Sequence, residues 1–346
     1  MPSTPPLIAV GLYSFQIGGS ETLGSQIAAL NRRRGYRVFC FAFYDSDGPI
    51  RRRLEAAGVD CLDLNYLRGP RGIRRLTYQA RLTLLLRRRG VTAMHVHHTT
   101  ALYLCGIPAR VAGVHRLLMT EHAIHDMEGD PSYERGARFY CRFASRISVV
   151  HEKLLDYFVR DIGVARERMA IVPNGVAIPA AAPARAVGLR ATHGVSATEF
   201  LFLFVGRLHP TKDLGVLLRA AALLKARSSQ SFRLWLVGDG DERPMLEALR
   251  SELGLDDEVT LLGPTSTVSE FLAAADAFVM SSKTEGLPMA LIEAMAHRVP
   301  CIATRVGGIP ALFAHGTGLL AEPQSQIRWP HGCRNAWPIP AYAPGS

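Results

Sequence analysis

The sequence predicts an α/β protein of two doubly wound, Rossmann-like domains that face a central cleft. Short apolar runs of strand length alternate with helix-periodic segments in both halves, which is typical of parallel sheets covered by helices on both faces. The 346 residues suit about two domains. Near residue 180 the composition changes to PAAAPARAVGL, a typical linker composition. We therefore predict a first domain over 1–178, a linker over 179–195 and a second domain over 196–323.

The first domain contains alternating strand and helix signals. Parallel strands are buried on both faces, so they read as nearly continuous apolar runs. Such runs lie at 7–13, 36–43, 93–97, 115–120 and 146–150, and helical periodicity lies near 21–34, 72–89, 101–112, 132–145 and 151–161.

The second domain repeats the pattern. Predicted strands lie at 200–205, 232–237, 258–262, 276–280 and 299–303, with helices near 214–227, 243–253 and 287–297. Ligands of doubly wound sheets bind beyond the carboxyl ends of the strands, so motifs at strand ends are the candidate sites.

Composition excludes several classes of protein. Hydrophobic residues make up 48% and charged residues 20%, as in a globular protein with a substantial core. No apolar run approaches the ~20 residues of a membrane span. The start lacks the basic region and cleavage site of a signal peptide, and the six cysteines include no Cys-x-x-Cys pair. We expect a reduced, cytoplasmic protein without a structural zinc site.

The net charge of +10 arises in the first half. Residues 1–180 carry 25 Lys and Arg against 15 Asp and Glu, whereas the rest of the chain is balanced. The arginines form four clusters, at 32–34, 51–53, 71/74/75 and 87–89. Two interpretations stay open: solvated helix faces, or attraction to anionic lipid headgroups or to an acceptor that carries a pyrophosphate. Nucleic acid is not expected, because no aromatics alternate with the arginines.

The stretch Glu285–Met295, EGLPMALIEAM, follows a buried apolar run and small polar residues. It predicts a strand, a tight loop and a helix with Pro288 in its first turn. Glu285 would precede the helix and Glu293 would lie about two turns into it, roughly 10 Å apart along the axis. Paired carboxylates of glycoside hydrolases lie about 5–9.5 Å apart, so this spacing better suits a ligand lying across the helix end. An amphipathic helix with two solvated glutamates is the alternative.

This stretch resembles the Glu-x7-Glu motif of retaining glycosyltransferases of family 4, the glycosyl transferases group 1, which have the GT-B fold. The resemblance covers roughly residues 7–322. It implies transfer of a sugar from a UDP- or GDP-sugar to an acceptor hydroxyl, in the synthesis of cell-surface polysaccharide or glycolipid. It also implies that Glu285 holds sugar hydroxyls with the amides around Gly286 and Leu287, and that Glu293 holds the ribose.

Three further motifs match the family in the expected order. Gly18-Gly19-Ser20-Glu21 resembles its GG-x-E loop, which faces the donor diphosphate. Gly206, Arg207 and Lys212 belong to a GRL-x3-K pattern that would neutralise the diphosphate. His122 matches a histidine that contacts the donor sugar near the reacting carbon. The resemblance implies front-face attack, in which the leaving phosphate takes the acceptor proton.

We expect no metal cofactor. His97 and His98 would point to opposite faces of a strand, which disfavours a shared ion with His95. Asp-x-Asp, which holds a cation in another glycosyltransferase fold, occurs at Asp45/Asp47 and at Asp239/Asp241. Arg207 and Lys212 make a cation unnecessary for phosphate binding.

The stretch 324–346 departs from the family, which normally continues with helices. With four prolines and two tryptophans it predicts an irregular tail and an incomplete second domain. An impaired protein that binds nucleotide without transfer therefore stays open as an alternative. A GT-B protein with another reaction, such as a nucleotide-sugar epimerase, is a second alternative.

Overall fold

A computed structural model of the chain describes residues 5–64, 66, 73–123, 129–179 and 186–323. These residues form two compact units. The first comprises the described residues up to Gly175 together with the segment Glu285–Met289, and the second comprises those of Val176–Thr284 and from Ala290 onward. Each unit contains a parallel β-sheet. The prediction of two α/β domains is therefore confirmed.

The sheet of the first unit has seven strands in the order β3-β2-β1-β4-β5-β6-β7. The order reverses between β1 and β4, which lie side by side. The strands are β1 Leu7–Leu12, β2 Arg37–Ala42, β3 Asp60–Asp63, β4 Ala93–His97, β5 Arg116–Glu121, β6 Arg146–Val149 and β7 Met169–Ile171.

The helices of the first unit connect successive strands. They are α1 Gly19–Arg33, α2 Pro49–Ala56, α3 Arg74–Arg89, α4 Thr99–Ala112, α5 Pro131–Tyr140 and α6 Glu152–Arg160. In α3 the buried residues Tyr78, Leu82 and Leu86 recur every four positions, which forms one apolar stripe and leaves the arginines outside. This helix ends at Gly90 in the left-handed conformation that glycine adopts without strain.

The second unit has six strands in the order β10-β9-β8-β11-β12-β13. They are β8 Phe200–Val205, β9 Phe232–Val237, β10 Val259–Gly263, β11 Ala277–Met280, β12 Cys301–Thr304 and β13 Leu319–Ala321. Its helices are α7 Val187–Thr192, α8 Leu214–Arg227, α9 Arg243–Glu252, α10 Val268–Ala274, α11 Met289–Ala296 and α12 Ile309–Leu312.

Alternate side chains of β8 enter two separate cores on the two faces of this sheet. Phe202 and Phe204 pack with residues of α8 and α9, whereas Leu201 and Leu203 pack with Trp235 and with residues of α10 and α11. This alternation follows from the two-residue period of a strand. It explains why the whole strand is apolar.

The predicted strands are all present, within three residues of the expected bounds. The sequence prediction missed β3, β7 and β13, and the helices α2, α7, α10 and α12. These strands have only three or four residues and are largely half-buried or exposed, so they lack a long apolar run. In the described ranges no helix is both long and apolar enough to cross a bilayer.

The predicted linker is wrong in its second part. Residues of 179–195 include α7, and the side chain of Arg190 in this helix is buried. Its guanidinium donates to the carbonyls of Ala274, Ser196 and Glu199 and pairs with Asp276 at 3.0 Å. A buried arginine needs such partners, and here they dock α7 onto the second unit. The predicted tail lies outside the described residues.

Candidate functional site

Two sheet positions carry most of the predicted site residues. In each sheet the strand order reverses between two neighbours, β1 and β4 in the first unit and β8 and β11 in the second. The connections leave such neighbours toward opposite faces, which opens a crevice at their carboxyl ends. Each unit therefore has its own candidate ligand-binding edge.

Gly18 is the N-cap residue of the helix α1 in the first unit, and Gly19 is the first residue of that helix. The carbonyl of Gly18 accepts a hydrogen bond from the N–H of Thr22 at 2.9 Å, and a Cβ on Gly18 would lie 2.2 Å from Oε2 of Glu21. A side chain at position 18 would therefore require the buried carboxylate of Glu21 to shift. The sequence prediction assigned Gly18 and Gly19 to a diphosphate. Glu21 already supplies a negative charge at this helix end, where the helix dipole favours one.

The half-buried His98 and the buried Glu121 form a pair that sequence reasoning missed. Nδ1 of His98 lies 2.8 Å from Oε1 of Glu121, and its Nε2 lies 2.9 Å from the hydroxyl oxygen of Ser20. Oε2 of Glu121 accepts hydrogen bonds from the backbone N–H and the hydroxyl of Thr99 at 2.7 and 2.8 Å. These contacts connect the first turn of α1 and the start of α4 to the last residue of β5.

The electrostatics of this pair favour its charged form. Burial alone would raise the pKa of Glu121, but the charge of His98 and the Thr99 donors lower it to about 2. Burial alone would lower the pKa of His98, but Glu121 raises it above the usual value. His98 also has a φ of +70°, which a residue other than glycine rarely adopts, so its contacts hold it in a strained conformation.

His122 directly follows β5, as predicted. Its Nε2 lies 2.8 Å from Nδ1 of His97, the two rings stack, and its side chain also bonds Asn174. Burial, with a smaller contribution from the charge of His98, lowers the pKa of His122 to about 3, so the ring is neutral near pH 7. These partners already hold the imidazole of His122. Its proposed contact with a sugar stays a prediction.

The segment Glu285–Met289 belongs to the first unit. A Cβ on Gly286 would lie 1.5 Å from the carbonyl oxygen of His122, so no other residue fits without displacement. The side-chain amide of Asn174 donates to the carbonyl of Leu287 at 2.7 Å. Gly286 and Leu287 are therefore fixed by the first unit, and Glu285 beside them is half-buried.

The prediction for the start of the following helix was wrong by two residues. The helix α11 begins at Met289, so Pro288 precedes it and does not lie in its first turn. Glu293 is consequently the fifth helical residue, little more than one turn in, and is half-buried. The residue before a proline resists the helical conformation, which delays the start of the helix.

The loop after β8 in the second unit carries the predicted phosphate-binding residues. Arg207 is exposed, and Lys212 is half-buried at the end of the short 3-10 helix Pro210–Lys212. The hydroxyl of Ser281 donates to the carbonyl of Lys212 at 2.8 Å. The N–H of Lys283 donates to the carbonyl of Thr211, also at 2.8 Å. The loops after β8 and β11 are thereby joined.

Lys283 is a further cation that sequence reasoning did not select. Nζ of Lys283 lies 3.4 Å from Oδ1 of Asp213, the residue that follows Lys212 in the sequence. Asp213 has a φ of +50° and is the N-cap residue of α8, so this pair holds a strained residue at the end of the loop. Lys283 follows Ser281 and Ser282, the small polar residues directly after β11. This position at a strand end could have identified Lys283 from the sequence.

Gly206 is held by a neighbouring glycine turn. Its N–H donates to the carbonyl of Val237 at 3.0 Å. A Cβ on Gly238 would lie 1.8 Å from the carbonyl oxygen of Gly206, and one on Gly240 would lie 2.3 Å from that of Leu208. The Gly-Asp-Gly turn thus packs backbone to backbone against the loop that presents Arg207.

Neither Asp-x-Asp pair forms an evident cation site. One oxygen of Asp47 accepts the N–H of Gly48, and one oxygen of Asp239 accepts the N–H of Gly240. Across the part of the chain that the structure describes, no three His, Cys, Asp or Glu side chains are grouped as metal ligands.

The predicted site residues fall into two groups, one in each unit. The contacts given above join Gly286 to His122 in the first unit, and they join the loop of Lys212 to the loop after β11 in the second unit. The first group is Gly18, Gly19, His122, Glu285, Gly286 and Leu287, and the second is Gly206, Arg207, Lys212 and Glu293.

Comparison with known proteins identifies both units. The model of Glycosyltransferase Family 4 matches residues 17–178, and the model of Glycosyl transferases group 1 matches residues 189–332. N-acetyl-alpha-D-glucosaminyl L-malate synthase of Bacillus anthracis is 27% identical over 91% of this chain and 84% of its own length. D-inositol 3-phosphate glycosyltransferase of Pseudarthrobacter chlorophenolicus is 36% identical over 49% of this chain, but this match spans only 42% of that relative.

A solved structure resembles the whole described fold. Anabaena HepE in complex with UDP-glucose is 25% identical, with a TM-score of 0.81 over 92% of this chain and 86% of HepE. One family model matches each unit, and the fold agrees with a known glycosyltransferase architecture. The chain therefore belongs to family 4 of the glycosyltransferases, the group 1 enzymes of GT-B fold.

Proposed function

We propose that the chain is a retaining glycosyltransferase that moves a sugar from a nucleotide diphosphate sugar to an acceptor hydroxyl. The observation that carries this proposal is the fixed loop after β8. Ser281 and Lys283 hold its backbone at the carboxyl end of the sheet, where Arg207 and Lys212 lie on one short segment. An arginine fork and a lysine point charge are suited to two adjacent phosphates.

The proposed donor is a UDP-sugar, with a GDP-sugar as the alternative. HepE, which is 25% identical to this chain, binds UDP-glucose. In our proposal Glu293 accepts hydrogen bonds from the ribose. Glu285 accepts them from sugar hydroxyls, with help from the amides around Gly286 and Leu287.

The proposed chemistry is front-face transfer without a metal ion. Arg207 and Lys212 stabilise negative charge on the leaving diphosphate, and Lys283 adds a third cation on the joined loops. One phosphate oxygen takes the proton of the acceptor hydroxyl as the new glycosidic bond forms. Fixed cations of this kind lower the barrier because they need no reorganisation in the transition state.

We propose a glycan or lipid-linked acceptor and a role in cell-surface polysaccharide or glycolipid synthesis. The excess of basic residues in the first half supports action at the cytoplasmic face of an anionic membrane. His122 would lie near the donor sugar, and Gly18 and Gly19 would face the acceptor side of the diphosphate.

The test is a transfer assay on the full chain with UDP-glucose, UDP-galactose and GDP-mannose and a panel of glycan and lipid-linked acceptors. We expect an acceptor-dependent product with the anomeric configuration of the donor. Arg207→Gln should lower kcat about 100-fold, whereas Arg219→Gln, on the exposed side of α8, should not. Donor conversion without acceptor would indicate an epimerase, and nucleotide binding without any product would indicate an impaired chain.

A further inference from the structure

A cavity of about 400 Å³ opens at the amino ends of β1, β2 and β3 in the first unit. The buried residues Leu7, Val38 and Phe39 are among its lining residues. Its remaining lining residues are Gly58, Asp60 and four arginines: Arg32, Arg37, Arg88 and Arg89. We call this feature the arginine cavity. One carboxylate faces four guanidinium groups there, so the lining carries a strong excess of positive charge.

The fold assembles this cavity from distant parts of the sequence. Arg32 lies in the last turn of α1, and Arg88 and Arg89 lie in the last turn of α3. Arg37 is the first residue of β2. In a doubly wound sheet the helices run opposite to the strands, so these helix ends meet the amino edge of the sheet. Cations are favourable at a helix C-terminus, but that effect accounts for a basic last turn and not for a shared cavity.

Two of the arginines are held in place. Nε of Arg32 donates to the carbonyl of Gly58 at 2.9 Å, which leaves both of its terminal nitrogens available. The guanidinium of Arg89 stacks on the ring of Phe39, 5.0 Å from the centroid, and lies 3.8 Å from Asp60. The side chains of Arg37 and Arg88 form no hydrogen bond or ion pair with other residues that the structure describes. Their charges are thus uncompensated at this edge.

We propose that the arginine cavity binds a phosphate group, at a site separate from the nucleotide-sugar site. Planar guanidinium groups form paired hydrogen bonds with phosphate oxygens. The volume lies within the range of about 300–1,000 Å³ for small-molecule sites. The strand β1 separates the cavity from the Gly18 edge by about 17 Å, at about 3.3 Å per residue.

Two sources offer this chemistry, a small soluble phosphate compound and the headgroup of an anionic phospholipid. The cavity recognises the phosphate in either case, so the experiment includes one arm for each. Binding of inorganic pyrophosphate to the full chain is measured by calorimetry. Co-sedimentation is measured with vesicles of equal parts phosphatidylglycerol and phosphatidylcholine, and with phosphatidylcholine alone.

The variants separate the cavity from the general charge of the protein and from the proposed donor site. All calorimetry uses an Arg207→Gln/Lys212→Gln background, so that pyrophosphate cannot report on those residues. We expect Arg37→Gln/Arg88→Gln to weaken pyrophosphate affinity at least about tenfold. Arg52→Gln/Arg160→Gln removes the same charge from exposed positions outside the cavity. This control variant should change the affinity for pyrophosphate little.

The outcomes distinguish the sources and can overturn the proposal. If the cavity variant loses pyrophosphate binding alone, the ligand is a soluble phosphate compound. If it loses only binding to the anionic vesicles, the source is a lipid headgroup. Equal losses in both double variants would assign binding to net charge, and unchanged binding in the cavity variant would refute the site. Since the background lacks Arg207 and Lys212, neither result depends on sugar transfer.

Discussion

Acidification from pH 6.5 to 5 should destabilise the first unit through three buried histidines, His95, His97 and His122. Burial lowers the pKa of His95 to about 4 and that of His122 to about 3, and it lowers the pKa of His97 well below its usual range. The folded state therefore keeps these rings neutral over this interval, whereas the unfolded chain binds protons with an ordinary pKa near 6.5. A depressed pKa contributes stability that is complete above 6.5 and is lost as the pH falls.

The expected size follows from proton linkage. At pH 5 His95 and His122 have each lost about 2 kcal/mol of their contribution, so together they lower the free energy of unfolding by roughly 4 kcal/mol, and His97 adds to this loss. That is a large part of the about 5–15 kcal/mol that stabilises a typical domain. The pair of His98 and Glu121 does not offset it in this interval. The stability that comes from the raised pKa of His98 is fully present below pH 6.5. The stability that comes from the lowered pKa of Glu121 is lost only below the ordinary value of 4.5.

The assay is urea unfolding followed by near-ultraviolet circular dichroism at several pH values. The clustered rings of Tyr13, Tyr44, Tyr66 and Tyr78 report on the first unit. His95→Gln keeps a partner for the hydroxyl of Thr120 but removes one titrating group, so the loss at pH 5 should shrink by about 2 kcal/mol. His115→Gln, an exposed change, is the control. The slope of the free energy of unfolding against pH gives the number of protons taken up on unfolding. A slope that corresponds to less than one proton, or the same slope in both variants, would refute the reasoning.

Further predictions concern the nucleotide, a metal, the glycine turn and the membrane. Glu293→Ala should weaken UDP binding more than it lowers kcat, because a ribose contact is similar in ground and transition states; equal losses in kcat and kcat/KM would contradict this role. Transfer should survive EDTA, and a loss that Mg²⁺ or Mn²⁺ reverses would reopen the Asp-x-Asp pairs. Gly238→Ala should cost more stability than Gly254→Ala in urea unfolding. Both glycines have positive φ, which costs about 1–2 kcal/mol, but only the first would bring a Cβ against the carbonyl of Gly206. Vesicle binding should require anionic lipid and disappear at high salt. Equal binding to neutral vesicles would indicate that the arginines only form solvated helix faces.

The sequence by itself determined the two sheets and the order of the motifs. Residues 200–205 and 232–237 are continuous apolar runs because both faces of each strand are buried, and they were located to the residue. The positions of the loop at Gly206 and of His122 could be predicted from these apolar runs, because the end of a strand fixes where the next loop begins. Short edge strands such as β7 give no such signal, because neither face is fully covered.

Only the tertiary structure decided which side chains meet. His98 and Glu121 are 23 residues apart in sequence, and Gly286 approaches the carbonyl of His122 across a far longer separation. The arginine clusters looked alike in sequence, yet Arg32 and Arg89 share one cavity while Arg51 pairs with Glu55 on its own helix. Spacing along the chain reports only neighbours within one element. Contacts between loops depend on which strands are adjacent, and that order is fixed by packing of the whole sheet.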